Sequence, residues 1–203
     1  MQTPLAAVLA LPLSIAPALA SEVYVVDRAR SEAKFEVSYF YSSVTGRMRD
    51  IGGVITLDPA SPGASSVKFY MMANSVDTGS AELNQHLRSA RFLNTARFSQ
   101  ITFQSTAIRA TAQANVYQVT GELTLHGITK RITVPVEVAR VVTEGAGLVR
   151  AAFRVKATLN RKDYGINWSQ GLDHAALIVG DDVRLTVNLV AAKEPPTPAT
   201  EYP

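Results

Sequence analysis

The stretch Val119-Thr120-Gly121-Glu122-Leu123-Thr124-Leu125-His126-Gly127-Ile128-Thr129-Lys130-Arg131-Ile132-Thr133-Val134-Pro135-Val136-Glu137-Val138 decides the fold class. Val119, Leu123 and Leu125 interleave with Thr120, Glu122, Thr124 and His126. After Gly127, Ile132, Val134, Val136 and Val138 interleave with Arg131, Thr133, Pro135 and Glu137. An apolar–polar period of two marks a strand with one buried face, and a glycine between two such runs marks a turn. The connection is short, so the two strands are antiparallel neighbours.

The same period recurs on both sides. Phe35, Val37 and Tyr39 alternate with Lys34, Glu36 and Ser38, and Val67, Phe69 and Met71 with Lys68, Tyr70 and Met72. Ala151, Phe153, Val155, Ala157 and Leu159 oppose Arg150, Arg154, Lys156 and Thr158, and Leu185, Val187 and Leu189 oppose Arg184, Thr186 and Asn188. Residues 23–27, 51–58 and 101–108 bring the expectation to eight or nine strands. Breakers separate them at Asp58-Pro59, Ser61-Pro62-Gly63, residues 145–147 and Gly180-Asp181-Asp182. Gly52-Gly53 reads as a bulge or bend. So large a sheet with one apolar face curls into a barrel or splits into a sandwich, and the alternation fits either.

One segment departs from this rhythm. Ser80 can cap a short helix over residues 80–89, with Glu82 in its first turn and Arg88 near its end, as the macrodipole favours. Leu83 and Leu87, at i and i+4, face one way, onto the sheet. Residues 75–100 thus form a long connection, after the fourth expected strand, of the kind that lids a site. Residues 193–203 hold four prolines and read as a Pro-rich, untethered tail.

Composition narrows the chemistry. The 203 residues carry no cysteine, which removes disulfides, thiol catalysis and cysteine zinc sites. Residues 1–20 read as a secretory signal peptide: an apolar run over 5–13, a break over 14–17, and Ala18-Leu19-Ala20 as the cleavage site, although no Lys or Arg precedes the run. Residues 21–192 are then one domain, periplasmic or secreted. No cysteine follows the cleavage site to carry a lipid anchor.

The net charge is +3 and the pI about 9.3. Arg150, Arg154 and Lys156 line one strand face, and Arg47, Arg49, Arg88, Arg91 and Arg97 could gather at one end. No basic run of the nucleic-acid-binding kind exists, so no nucleic-acid partner is expected. His86, His126 and His174 have no metal-ligand spacing, and no metal is expected. Ser169, Asp173 and His174 are the nearest approach to a nucleophile set, but no G-x-S-x-G elbow accompanies them. Neither a glycoside-type carboxylate pair nor a Gly-rich phosphate loop is present, so neither an enzyme nor a cofactor is expected. The apolar inner face remains, and periodicity does not say whether it fills a core or lines a cavity.

The motifs Asn74-Ser75-Val76-Asp77-Thr78-Gly79, His86-Leu87-Arg88-Ser89, Phe92-Leu93-Asn94 and Ile101-Thr102-Phe103-Gln104-Ser105 occur in that order. They are followed by residues 119–130, Asn160-Arg161-Lys162-Asp163-Tyr164-Gly165-Ile166 and Val179-Gly180-Asp181-Asp182-Val183. Together they resemble the YceI-like, polyisoprenoid-binding family over residues 23–192. The chain departs from the family pattern at Tyr39, Met48, Asn84 and Ser99.

The resemblance implies an all-β, eight-stranded antiparallel lipocalin-like barrel whose lumen holds a long-chain isoprenoid, of quinone or polyprenyl type, or a fatty-acid-derived lipid. It implies no catalysis; a homodimer and transient membrane contact are compatible with it. The lumen positions it implies, assigned by strand parity, are Tyr24, Val26, Phe35, Val37, Tyr39, Val67, Phe69, Met71, Phe103, Leu123, Leu125, Val134, Val136, Phe153, Val155, Leu185 and Val187. A structural or stress-related interaction barrel with a filled core is the alternative.

Overall fold

The computed structural model describes residues 21–39, 41–58, 60–167 and 179–194. The expected signal peptide over residues 1–20, the candidates Ser169, Asp173 and His174, and the part of the expected tail beyond residue 194 lie outside the described residues.

Eleven strand segments form one antiparallel sheet: β1 (Glu22–Val26), β2 (Glu32–Tyr39), β3 (Ser42–Met48), β4 (Ile51–Leu57), β5 (Ser66–Met72), β6 (Val76–Asp77), β7 (Gln100–Ala110), β8 (Val116–Leu125), β9 (Ile128–Thr143), β10 (Val149–Asn160) and β11 (Val179–Lys193). The helix α1 (Ala81–Arg88) lies between β6 and β7. β11 pairs with β2 along its first part and with β1 at its end, where Tyr24 faces Lys193 and Val26 faces Ala191. β1 also pairs with β4, which closes the ring. That closure makes a barrel and excludes the sandwich.

The eleven segments make eight staves, because three staves are broken in two. β1 and β2 are one stave interrupted at residues 28–30, β3 and β4 a second, and β5 and β6 a third. The first break has a local cause. Asp27 Oδ1 accepts from Ala29 N at 3.1 Å and turns the chain. Ser31, 5% exposed, then stands in for the missing ladder bonds: Val190 N donates to its Oγ at 2.9 Å, and that hydroxyl faces Val190 O at 3.3 Å. A buried backbone pair is thus satisfied by a side chain.

Two expectations shift accordingly. Residues 23–27 and 34–39 were expected as separate strands and 42–48 as none, so α1 follows the third stave, not the fourth. The polar residues Ser42, Ser43 and Thr45 hide the alternation of β3. The tail was expected to begin at residue 193, but Lys193 ends β11, where its Nζ donates to Glu22 Oε1 at 2.7 Å.

The helix begins as its sequence dictates, with Ser80 Oγ accepting from Leu83 N at 3.3 Å and Glu82 in the first turn. Arg88 ties it down: its Nε donates to Asn74 O and its Nη2 to Val76 O, both at 2.9 Å. These carbonyls belong to the upper part of the third stave, which β7 does not reach. The guanidinium fork therefore satisfies an edge that the sheet leaves open.

Candidate ligand-binding lumen

Parity sends one side chain in two from every stave into the barrel, and two cavities lie there. The larger, about 470 Å³, occupies the α1 end and is walled by Phe35, Val37, Tyr39, Val44, Val76, Ile101, Leu125 and Val183, with Leu83, His86, Leu87, Phe92 and Leu93 from the α1 connection. The smaller, about 280 Å³, occupies the other end and is walled by Ile55, Val67, Phe69, Phe103, Val119, Ile132, Val134, Val136, Phe153, Val155, Val187 and Leu189. Met71, Leu123, Leu159 and Leu185 border both. These four, from four different strands, form a waist between the two chambers.

Of the expected lumen positions, Phe35, Val37, Tyr39 and Leu125 line the larger chamber. Val67, Phe69, Phe103, Val134, Val136, Phe153, Val155 and Val187 line the smaller, and Met71, Leu123 and Leu185 stand at the waist. Tyr24 and Val26 line neither. They are 3% and 6% exposed and pack the core at the seam where β1 meets β11. The Tyr24 hydroxyl donates to Glu22 Oε2 at 2.8 Å; burial, and then this bond, push its pKa up to about 12.

The expectation for the α1 connection meets a definite placement, since Leu83 and Leu87 do face the barrel and roof the larger chamber. His86, Phe92 and Leu93 of the same roof were not singled out as lumen residues. Helical spacing places His86 beside Leu83 and Leu87, and that signal could have found it. Leu159 was visible as an inward strand position, but its place at the waist was not.

The polar groups near the chambers are few and mostly engaged. Arg161, 8% exposed, borders the larger chamber. Its NH1 donates to Ile166 O at 2.7 Å, its Nε to Gly180 O at 3.1 Å, and its NH2 to Val179 O at 3.3 Å and Asp181 Oδ1 at 2.9 Å. It clamps the ends of β10 and β11 together. The lysine at that end, Lys34, pairs with Glu32 at 2.9 Å. At the opposite end Asp58 Oδ1 accepts from Ala60 N and Ser61 N and so belongs to its own turn.

Nothing among the described residues forms a catalytic set. No group of three or more His, Asp or Glu could hold a metal there. His126 Nδ1 lies 3.0 Å from Tyr164 O, and its ring meets Phe98 edge-on with centroids 4.7 Å apart, a packing arrangement. Several of the basic residues have partners. Arg150 reaches Asp27 at 2.7 Å and Glu144 at 2.9 Å, Arg47 reaches Asp77 at 3.1 Å, and Arg97 lies over the Phe98 ring.

Known proteins share this architecture. The barrel of BcnA from Burkholderia cenocepacia superposes with a TM-score of 0.70 at 28% identity, over 81% of this chain and 98% of that one. A domain from Saccharophagus degradans, described as polyisoprenoid-binding and implicated in plant cell wall breakdown, gives 0.65 at 19% identity, over 84% of this chain and 98% of that one, a likeness of fold. In sequence, a UPF0312 protein of Shewanella baltica is 39% identical over 164 residues, covering 77% of this chain and 84% of that protein. One of Azotobacter vinelandii is 38% identical over 154 residues, covering 73% and 78%. The profile of the YceI-like domain matches residues 24–191, nearly every stave of the barrel, and on that match and these relatives the chain belongs to the YceI-like family.

Proposed function

We propose that this protein is a periplasmic carrier for a long-chain isoprenoid, of quinone or polyprenyl type, or a related amphipathic lipid, held in the barrel lumen. The observation that carries this reading is the pair of apolar chambers inside the barrel that share Met71, Leu123, Leu159 and Leu185 as their common wall. Two apolar chambers in succession suit a long flexible chain better than a compact ligand. The description of the Saccharophagus degradans domain as polyisoprenoid-binding agrees with it. Export rests on the leader-like residues 1–20.

Each buried CH₂ gains about 0.8 kcal/mol on leaving water. The tail's usual surroundings are a bilayer, which is equally apolar, so transfer from membrane to lumen is nearly neutral. Such a protein exchanges lipid and does not trap it. Binding, with no covalent step, is the whole of the activity proposed.

The test is native mass spectrometry of protein purified gently from the periplasm, followed by organic extraction. A discrete adduct that extracts as one long-chain lipid is the expected result. A bare mass, with no uptake of added quinone or polyprenyl lipid, would turn the reading to an interaction barrel with a filled core.

A further inference from the structure

The larger chamber holds a polar side chain, His86, that no other described residue hydrogen-bonds. His86 sits on α1 between Leu83 and Leu87, half-buried, and lines the chamber beside Phe92 and Leu93. Its ring meets Phe92 edge-on, with centroids 6.5 Å apart at 71°. Among the described residues no hydrogen bond reaches either ring nitrogen. The two cations that line the chamber are committed, Lys34 to Glu32 and the Arg161 guanidinium to three carbonyls and Asp181. The smaller chamber has no imidazole; its half-buried polar side chains include the Tyr117 phenol. Asp58 and Ser65 are held in their own turn, and Asn115 is exposed to water.

A half-buried imidazole facing an apolar cavity lacks hydrogen bonds that water would supply, and a ligand's polar end can restore them. Resting on the lipid-carrier reading, we infer that His86 anchors the head group of the lipid. The head group is uncharged, a hydroxyl or carbonyl oxygen, and the tail runs through the waist into the smaller chamber. The absence of charge follows from the lining. An anionic head such as a phosphate needs an unpaired cation, and the cations bordering this chamber already have partners. A neutral imidazole donates from one nitrogen and accepts at the other, so it suits a hydroxyl or a carbonyl equally.

The experiment compares three probes of one chain length: a polyprenol, the corresponding polyprenyl phosphate, and the headless hydrocarbon. Affinities are measured on the wild type, His86→Leu, His86→Gln and Tyr39→Phe, the last removing the other unpartnered hydroxyl at the same end. The wild type should bind the alcohol about tenfold more tightly than the hydrocarbon, the scale of one well-made hydrogen bond. His86→Leu should erase that difference, the alcohol losing about tenfold relative to the hydrocarbon, and His86→Gln should keep most of it. Equal losses for alcohol and hydrocarbon in His86→Leu would overturn the anchor, as would a loss confined to Tyr39→Phe. A wild-type preference for the phosphate would overturn the uncharged head. Wild-type uptake of all three probes alike, indifferent to residue 86, removes this inference and leaves the carrier standing. Uptake of none removes both.

Discussion

The ring of Phe103 lies against Gly121: a Cβ at position 121 would stand 2.5 Å from its Cζ and 2.7 Å from its Cε2. Phe35 stands in the same relation to Gly46, where a Cβ would be 2.3 Å from its Cζ. One ring belongs to each chamber, and each glycine is an inward position on the adjoining strand. The missing side chains let both rings lie along the wall, which keeps the bore clear.

Gly46→Ala should therefore swing the Phe35 ring into the larger chamber. Long-chain lipid loading should fall several-fold, with an overpacking cost of about 1–3 kcal/mol. Gly121→Ala should cost more, because its Cβ would also meet Gln104 O at 2.5 Å, an atom of the backbone. Lipid loading by native mass spectrometry and thermal unfolding measure the two effects. Unchanged loading in Gly46→Ala would show that the ring does not set the bore.

The waist offers a second handle. Leu123 is 7% exposed and borders both chambers. Leu123→Asp should abolish lipid retention and, if the charge stays unpaired, destabilise the barrel by about 3–5 kcal/mol. Phe69→Asp, within the smaller chamber, should act likewise. Urea unfolding with lipid extraction tests this, and a variant that folds normally and retains lipid would remove its position from the site.

A third prediction concerns the α1 connection, proposed here as the gate of the lumen. Arg88→Ala removes the bonds to Asn74 O and Val76 O. Amide exchange over residues 75–100 should speed up and lipid should be released faster, with a stability loss of about 1–2 kcal/mol. Release at the wild-type rate despite faster amide exchange would mean that the segment does not gate.

The fourth is a dependence on pH. A hydrogen bond from Lys162 holds the Asp181 carboxyl below its ordinary 3.8, and Lys193 and Arg150 do the same for Glu22 and Glu144 below 4.5. A depressed carboxyl pKa adds stability that is fully present above the ordinary value and is lost as pH falls through the folded one. Stability should thus hold from pH 7 down to about 4.5 and fall below 3.8. Asp181→Asn should lower stability at pH 7 and flatten part of the acid loss. Equal slopes for variant and wild type between pH 4.5 and 2.5, a range set by these groups, would refute the assignment.

Much of the barrel was legible because strands repeat with period two and helices do not. The alternation in residues 151–159 and 185–189 assigned inward and outward faces that the structure bears out. The cap at Ser80 and the Leu83–Leu87 pair located α1 to within a residue at either end. Strand β3 was not legible, since glycine takes its inward position 46 and leaves only Val44 and Met48 as apolar markers, and the turn before it is polar. The single stave made by β1 and β2 was hidden too, because the Asp27 turn looks locally like an ordinary strand end.

The sequence by itself determined which side chains share a face, since the Cβ direction alternates along any strand whatever that strand pairs with. It also determined the helix with its cap, and excluded cysteine chemistry through composition. Only the tertiary structure decided that the sheet closes, because the pairing of Tyr24 with Lys193 joins residues from opposite ends of the chain. Only it showed that Tyr24 and Val26 pack a seam while Phe35 and Val37, which strand alternation also sends inward, face a cavity. Parity sorts inside from outside. Whether an inward side chain meets another or borders open space depends on how all eight staves and the α1 connection come together, and no local pattern encodes that.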